Sequence, residues 1–400
     1  MAELSHRKRV PGVRLVWLFR VAPTPVQRAL VAYAHAERAR REGEVTRPPV
    51  VDQRASGSRA SLPAAIGWLT VAPPAVSAVA RVARLDESST LLILADGLTP
   101  LLVPPALLAL GIGLRQRSRA LTLLSAATAA VLLWTTIPAI GLPDRAPPPA
   151  GMSPALRLFN ANLHAANPDV ASIAEEIRAA APDLVALQEV DQDAAAGLMR
   201  SGVLARFPYR VTEIRNGPPG IALWSRFPLA DPEVLDTGGM PRIRATVLLG
   251  ARRLRFYNVH VVAPVGEDRA RWKAELRRVE EELRRERGPL VVAGDFNATR
   301  HHPSFRRLLR HRLADAHERR GRGWAVTWPR DRWPLPPLMR LDHVLVSPDI
   351  GVRSVKEGNG QGSDHRPIIA ELVLGRALQR PAAWGGRWGA SPWRDGRCSC

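Results

Sequence analysis

The stretch Val291-Val-Ala-Gly-Asp-Phe-Asn-Ala-Thr299, VVAGDFNAT, runs an apolar strand into a glycine and then offers an aspartate and an asparagine two residues apart. A short run of Val and Ala reads as a buried strand, and a buried strand has no use for that polar pair. Side chains two apart on an extended segment share a face. Asp295 and Asn297 are therefore expected to face one substrate while Phe296 turns into the core. Gly294 is expected to permit a close backbone approach. A carboxylate and an amide at a strand end suit a site that must grip an anion and move a proton.

Outward from this stretch, short Val-, Leu- and Ile-rich runs recur: LRLFNANL, DLVALQE, GIALWS, IRATVLL, RLRFYNVHVV, LDHVLVS and PIIAELVL. Two helices separate some of them. PDVASIAEEIRAAAP follows the first strand, and EDRARWKAELRRVEEELRRERG carries Trp272, Leu276, Val279 and Leu283 as one apolar stripe, which reads as core packing. Many strands with few helices predict an α+β fold, two packed sheets flanked by helices. Polar residues collect at the strand ends. They are Asn160 and Asn162, Gln188 and Glu189, Asn258 and His260, Asp295 and Asn297, Asp342, and Asp364 with His365. Any one of them is more readily a turn former; six occurrences in order are not.

With NANL, LQEV, GIALWSRFPL, NVHVV, GDFNAT, RLDHVLVS and GSDHRPI in that order, the chain from about Leu156 to Leu374 resembles the endonuclease/exonuclease/phosphatase superfamily. The resemblance implies a four-layer α-β-β-α sandwich of the DNase I-like type. It also implies hydrolysis of a phosphoester with Mg²⁺, or Mn²⁺, bound. Matched residue by residue, Glu189, Asn162 and Asp364 are the expected metal positions, with Asn162 preferred to Asn160 because the large apolar Leu163 follows it. Asp295 is the expected acceptor of a proton from the attacking water, and Asn297 the expected donor to a phosphate oxygen. His365 is expected to steady the charged transition state, with Asp342 orienting it and His260 facing the phosphate. His343 is expected on the opposite strand face from Asp342, and His301 and His302 to be no ligands. His164 is assigned no role. Trp324, Trp328 and Trp333 are expected at a substrate rim.

Ahead of this region the composition changes. The runs 62–80, 91–114 and 120–142 are each long enough to cross a bilayer as helices. The first holds Pro73-Pro74, and the second carries Asp96 near its start, expected at an interface. The basic segment 1–60 and the basic loop Arg115-Gln-Arg-Ser-Arg119 are expected on the cytoplasmic side. Three spans then place residues after 142 outside the cytoplasm of a cell membrane. A Pro-rich linker (143–155) leads to the sandwich (156–374), and a Trp-, Gly- and Arg-rich tail (375–400) is expected to be disordered. Both cysteines, Cys398 and Cys400, lie in that tail, so the core has no disulfide framework and no thiolate metal site.

The net charge of +20 suggests nucleic acid at first sight. Yet residues 151–374 hold 34 Lys and Arg against 27 acids, leaving thirteen of the twenty charges in the flanks. Three spans followed by such a sandwich also look like the membrane proteins associated with teicoplanin-type glycopeptide resistance. That likeness implies a lipid-linked phosphate or pyrophosphate of the cell envelope as substrate. Two alternatives stay open: a membrane-tethered nuclease acting outside the cytoplasm, and a non-catalytic domain that binds a phosphorylated ligand.

Overall fold

The computed structural model describes residues 62–140, 155–215, 217–236, 238–310, 312–330 and 336–375. The basic N-terminal segment, nearly all of the Pro-rich linker, the tail beyond Gly375 and Trp333 lie outside the described residues. Four apolar helices come first: α1 (Leu62–Val82), α2 (Thr90–Gly97), α3 (Thr99–Arg115) and α4 (Arg119–Ile140). Among the described residues two helices, α1 and α4 over Arg119–Ile137, are long and apolar enough to cross a membrane, and α2 with α3 makes a third if that pair counts as one span.

The run 91–114, expected as a single span, is instead bent by 79° between α2 and α3. Gly97 ends one helix and Pro100 opens the next, where a missing N–H costs nothing. Asp96 does not stand alone. It is buried, paired with Arg81, whose guanidinium also donates to Thr99 Oγ1 at 2.8 Å and Thr135 Oγ1 at 2.6 Å. Pairing is what a buried charge requires. That knot ties one end of α1, α3 and α4. At the opposite end Gly67 lies against Ile112 and Leu121, so the three helices alternate in direction. Their outward faces are apolar: Leu69 is 75 % exposed, Leu123 71 % and Trp134 81 %. Such an exterior suits hydrocarbon and is disfavoured in water.

Two six-stranded sheets follow. The first contains β1 (Ala155–Asn162), β2 (Leu184–Gln188), β3 (Tyr209–Glu213), β4 (Ile221–Ser225), β11 (Ile350–Glu357) and β12 (Ile368–Leu374), in the order β11-β12-β1-β2-β4-β3. The second contains β5 (Leu229–Leu235), β6 (Arg242–Leu249), β7 (Arg252–His260), β8 (Leu290–Asp295), β9 (Ala314–Asp315) and β10 (Asp342–Val346), in the order β5-β6-β7-β8-β10-β9. Leu158, Leu223, Phe256, Val291 and Val344 meet in one core between the sheets. Outside the first sheet, α5 (Val170–Ala180) and α6 (Gln192–Arg200) cover Phe159, Val185 and Trp224. Outside the second, α7 (Arg269–Arg285) and α8 (Pro303–Leu309) cover Tyr257, Val292 and Leu345. The expected stripe Trp272, Leu276, Val279 and Leu283 is buried in that outer core. The layering is α-β-β-α.

Gly294 is required by its neighbour strand. Its φ is +149°, and a Cβ there would sit 1.8 Å from the Val259 carbonyl oxygen of β7. The close approach is strand to strand, and backbone cannot yield as a side chain can. Gly294→Ala is expected to destabilise the sandwich by about 3 kcal/mol. A thermal melt should fall by roughly 6–12 °C, and an unchanged melt would contradict this account.

Candidate active site

The strand register brings the predicted residues together. β1 and β2 run parallel with Asn162 opposite Gln188, so Asn162 and Glu189 leave the first sheet side by side. In the second sheet β7 runs parallel to β8 with His260 opposite Asp295, and β10 runs antiparallel with Asp342 opposite Asp295. Asp295 therefore has an imidazole strand on one flank and a carboxylate strand on the other. The loop before β12 supplies Asp364 and His365, and Ser363 Oγ ties it to the first sheet by donating to the Asn162 carbonyl at 2.8 Å. Asn162 Nδ2 spans the two sheets, donating to Glu189 Oε1 at 2.9 Å and to Asp295 Oδ2 at 3.0 Å. Glu189 Oε2 accepts from the Ala165 N–H at 2.8 Å. His260 Nε2 stands 3.8 Å from Glu189 Oε1 and 3.9 Å from Asp295 Oδ2. His365 Nδ1 bonds Asp342 Oδ2 at 2.8 Å, while its Nε2 lies 3.9 Å from both Asp295 Oδ2 and Asp364 Oδ1. All eight predicted residues thus share one cluster.

One of them departs from the geometry expected. The segment past β8 is not extended at Asn297, whose φ is +45°, a left-handed turn. Its side chain still meets Asp295, but by curling back: Nδ2 donates to Asp295 Oδ2 at 3.2 Å and to the Val261 carbonyl at 2.9 Å. Both amide hydrogens are engaged, so Asn297 holds Asp295 where a free donor to phosphate was expected. Its backbone N–H also donates to Asp295 Oδ1 at 2.8 Å. Glu189 is likewise left-handed, at φ +55°. Backbone in that region is strained for a non-glycine residue and collects at working sites. Phe296 turns into the outer core as expected.

Beneath the cluster lies a buried amide network. Gln188 Nε2 donates to Asn160 Oδ1 at 3.1 Å and Asn258 Oδ1 at 2.6 Å, and Asn258 Nδ2 donates to the carbonyls of Leu187 and Ala222. Asn160 and Asn258 therefore brace the sheets rather than reach solvent. Burial raises the Asp295 carboxyl to about 7, with His365 opposing and Asp342 adding to the rise. Burial works against the His365 cation, but Asp342 and Asp295 outweigh it and lift that imidazole to about 10. His260 has its pKa lowered by burial, against the pull of Glu189. The cluster thus pairs a carboxyl poised near neutrality with a cationic imidazole opposite it.

A model of the Endonuclease/Exonuclease/phosphatase family matches residues 158–365. The chain belongs to that family. No curated protein matches it. Solved structures similar to this chain include an endonuclease/exonuclease/phosphatase from Beutenbergia cavernae DSM 12333. It is 23% identical, with 56% of this chain and 73% of that one covered and a TM-score of 0.45. Another, from Bacteroides vulgatus, is 18% identical, with 56% and 100% covered and a TM-score of 0.47. A 3' phosphatase from Neisseria, bound to a product DNA hairpin, is 23% identical, with 54% and 98% covered and a TM-score of 0.44. Members of the Endonuclease/Exonuclease/phosphatase family hydrolyse phosphoester bonds.

The donor set in this family member suits a hard divalent cation. Glu189, His260 and Asp295 offer atoms within 4.8 Å of one another, as do Asp295, Asp342 and His365. Both groups combine two carboxylates with one imidazole, donors that a divalent cation accepts. Asp342 Oδ1 is buried with no hydrogen-bond partner, an acceptor of the kind a cation would offset.

One residue that the sequence left without a role joins the site, and one expected at its rim touches it. His164 Nδ1 lies 3.2 Å from Asp364 Oδ1, and its N–H donates to Asn162 Oδ1 at 2.9 Å. Its signal was position, two residues past Asn162. Trp328 Nε1 donates to Asp364 Oδ2 at 3.2 Å, so this tryptophan is at the rim as expected, whereas Trp324 lines a separate crevice. His343 occupies the opposite face, bonded to Asp315 Oδ2 at 2.6 Å and the Ala298 carbonyl at 2.9 Å. His301 and His302 belong to neither candidate metal group. A cavity of about 420 Å³ opens over the cluster. Among the described residues none that lines it is Lys or Arg; beside the polar floor stand Pro264, Val265, Met339 and Leu341.

Proposed function

We propose that the protein is a membrane-anchored, divalent-metal-dependent phosphoester hydrolase acting outside the cytoplasm on a lipid-linked phosphate or pyrophosphate. The reaction class rests on one observation: Asp295, fully buried, faces the Nε2 of His365 at 3.9 Å inside a single polar cluster. Asp295 takes a proton from the attacking water, whose oxygen forms the new P–O bond as the ester P–O bond breaks. Asn162 and Asn297 hold the Asp295 carboxylate in one orientation for that transfer. Asp342 fixes Nδ1 of His365 as a donor, so the Nε2–H is aimed into the cluster, where negative charge gathers on phosphorus oxygens. Glu189, grouped with His260 and Asp295, would hold the metal ion, which would supply Lewis acidity toward a phosphoryl oxygen; Asn162, its Nδ2 on both carboxylates, and Asp364 beside His365 would steer it.

The lipid-linked substrate is supported by the cavity and by the helices. A nucleic-acid groove tracks its backbone with Lys and Arg, and no described residue lining the cavity is either. Its walls are apolar beside an anion-handling floor. Topology is supported by the alternation of α1, α3 and α4. The Arg81–Thr99–Thr135 end lies toward the catalytic cluster and the Arg115–Arg119 loop at the far end, which basic residues place inside.

Purified full-length protein should be assayed with lipid phosphates, inositol phosphates and plasmid DNA, with Mg²⁺ and with Mn²⁺. The expected result is metal-dependent, EDTA-sensitive turnover of the lipid phosphates. Rapid DNA cleavage with a steep salt dependence, and no lipid phosphate turnover, would overturn the substrate assignment.

A further inference from the structure

We propose that α2, in sequence a part of the apolar helices, is a wall of the active site, and that Leu94 selects a phosphoester carrying a hydrocarbon chain. This deepens the function proposed above and rests on it for the reaction. The cavity over the catalytic cluster is lined by Thr90, Ile93 and Leu94 together with Glu189, Asp295 and His365. Residues from about one hundred to nearly three hundred positions apart thus share one space. At about 420 Å³ that space falls within the roughly 300–1,000 Å³ of pockets that enclose whole small molecules.

The contact of α2 with the catalytic region is built from buried polar bonds. Glu87, in the turn before α2, is buried and accepts two hydrogen bonds from Ser304, from its N–H at 2.7 Å and its hydroxyl at 2.6 Å. His302 Nδ1 accepts the Thr299 N–H at 2.8 Å, which leaves the proton on Nε2, and Nε2 donates to the Ile93 carbonyl at 2.9 Å. Thr299 closes the stretch that carries Asp295 and Asn297, so the motif loop and α2 are joined through one imidazole. Buried bonds of this kind hold position, since each group is costly to strand. They fix α2 and present Leu94, an apolar side chain left 46 % exposed at the cavity.

The helix also lies where a chain must pass. α2 leads through the bend at Gly97–Thr99 into α3, at the Arg81–Thr99–Thr135 end of the apolar helices. A phosphate held over Asp295 and His365 can therefore trail its hydrocarbon along Leu94, Val265 and Leu341. Each methylene withdrawn from water there favours binding about fourfold.

The test uses full-length protein in detergent and two p-nitrophenyl phosphodiesters, methyl and hexyl. The wild type is expected to favour the hexyl ester by at least about tenfold in kcat/KM. Leu94→Asp is expected to erase most of that preference, because a carboxylate repels the chain and needs water. Calorimetric binding of hexylphosphonate against methylphosphonate gives a second readout that needs no turnover, and the same variant should remove its chain preference. A hexyl-to-methyl ratio within twofold of wild type in both measurements for Leu94→Asp overturns the assignment of α2. A wild type that hydrolyses neither ester, yet binds hexylphosphonate in a Leu94-dependent way, refutes the hydrolase reading and keeps the wall.

Discussion

Asp295→Asn is expected to lower kcat by about 10²–10⁴-fold, the contribution of a positioned general base. Asparagine has the same shape, so the buried site keeps its packing, but an amide cannot accept a proton at neutral pH. The carboxylate has three donors on it, from Asn162 Nδ2, Asn297 Nδ2 and the Asn297 N–H. The new NH₂ must turn away from at least one of them, so some loss of stability is expected too. Near-UV circular dichroism separates the two effects by showing whether the fold persists. Turnover equal to wild type in a folded Asp295→Asn protein would remove this residue from the mechanism. Glu189→Gln offers a contrast, since its main loss should be in Mg²⁺ affinity, read by titrating the ion.

Asp342→Asn is the second large effect, and here pH dependence is diagnostic. Asp342 acts through His365, as the acceptor of its Nδ1–H at 2.8 Å. Removing that negative charge withdraws the largest support for an imidazolium that burial alone would discourage. The His365 pKa, about 10 in the intact site, should therefore fall, by about 1–3 units for the loss of an adjacent opposite charge. Activity that needs the cation is present below that pKa and disappears above it. The alkaline limb of the kcat profile should accordingly move to lower pH in Asp342→Asn, with kcat at neutrality reduced by about 10²-fold. A loss of activity with an unmoved alkaline limb would mean that Asp342 only braces the fold.

The strands that were legible and those that were not divide by place in the sheets. The eight runs read from the sequence became β1, β2, β4, β6, β7, β8, β10 and β12. The four overlooked, β3, β5, β9 and β11, are the outer strands of the two sheets. Central strands are covered on both faces and so are written in continuous Val, Leu and Ile. An edge strand has one side in water: β3 reads YRVTE and β5 reads LADPEVL with Pro232 inside it, neither a strong periodic signal. The short helices α6 and α8 were missed for a related reason, seven to nine residues being too few for a helical period to stand out.

At the site the residue types and their order were readable because each sits at the end of a strand whose apolar part announces it. The local backbone was not. Left-handed turns at Glu189 and Asn297 cost energy in isolation, and the surrounding structure imposes them. Hence Asn297 was expected to lie extended, free to reach a phosphate, and instead curls back onto Asp295 and Val261.

Sequence by itself determined which segments are apolar enough to be strands or membrane-length helices, and which carboxylates, amides and imidazoles stand at their ends, because those signals act over a few residues. Only the tertiary structure decided that the 91–114 run bends by 79° and that Glu87 meets Ser304, bringing Ile93 and Leu94 to the catalytic cavity. Apolar periodicity says that a face must be buried; which surface covers it depends on the shape of a partner far along the chain.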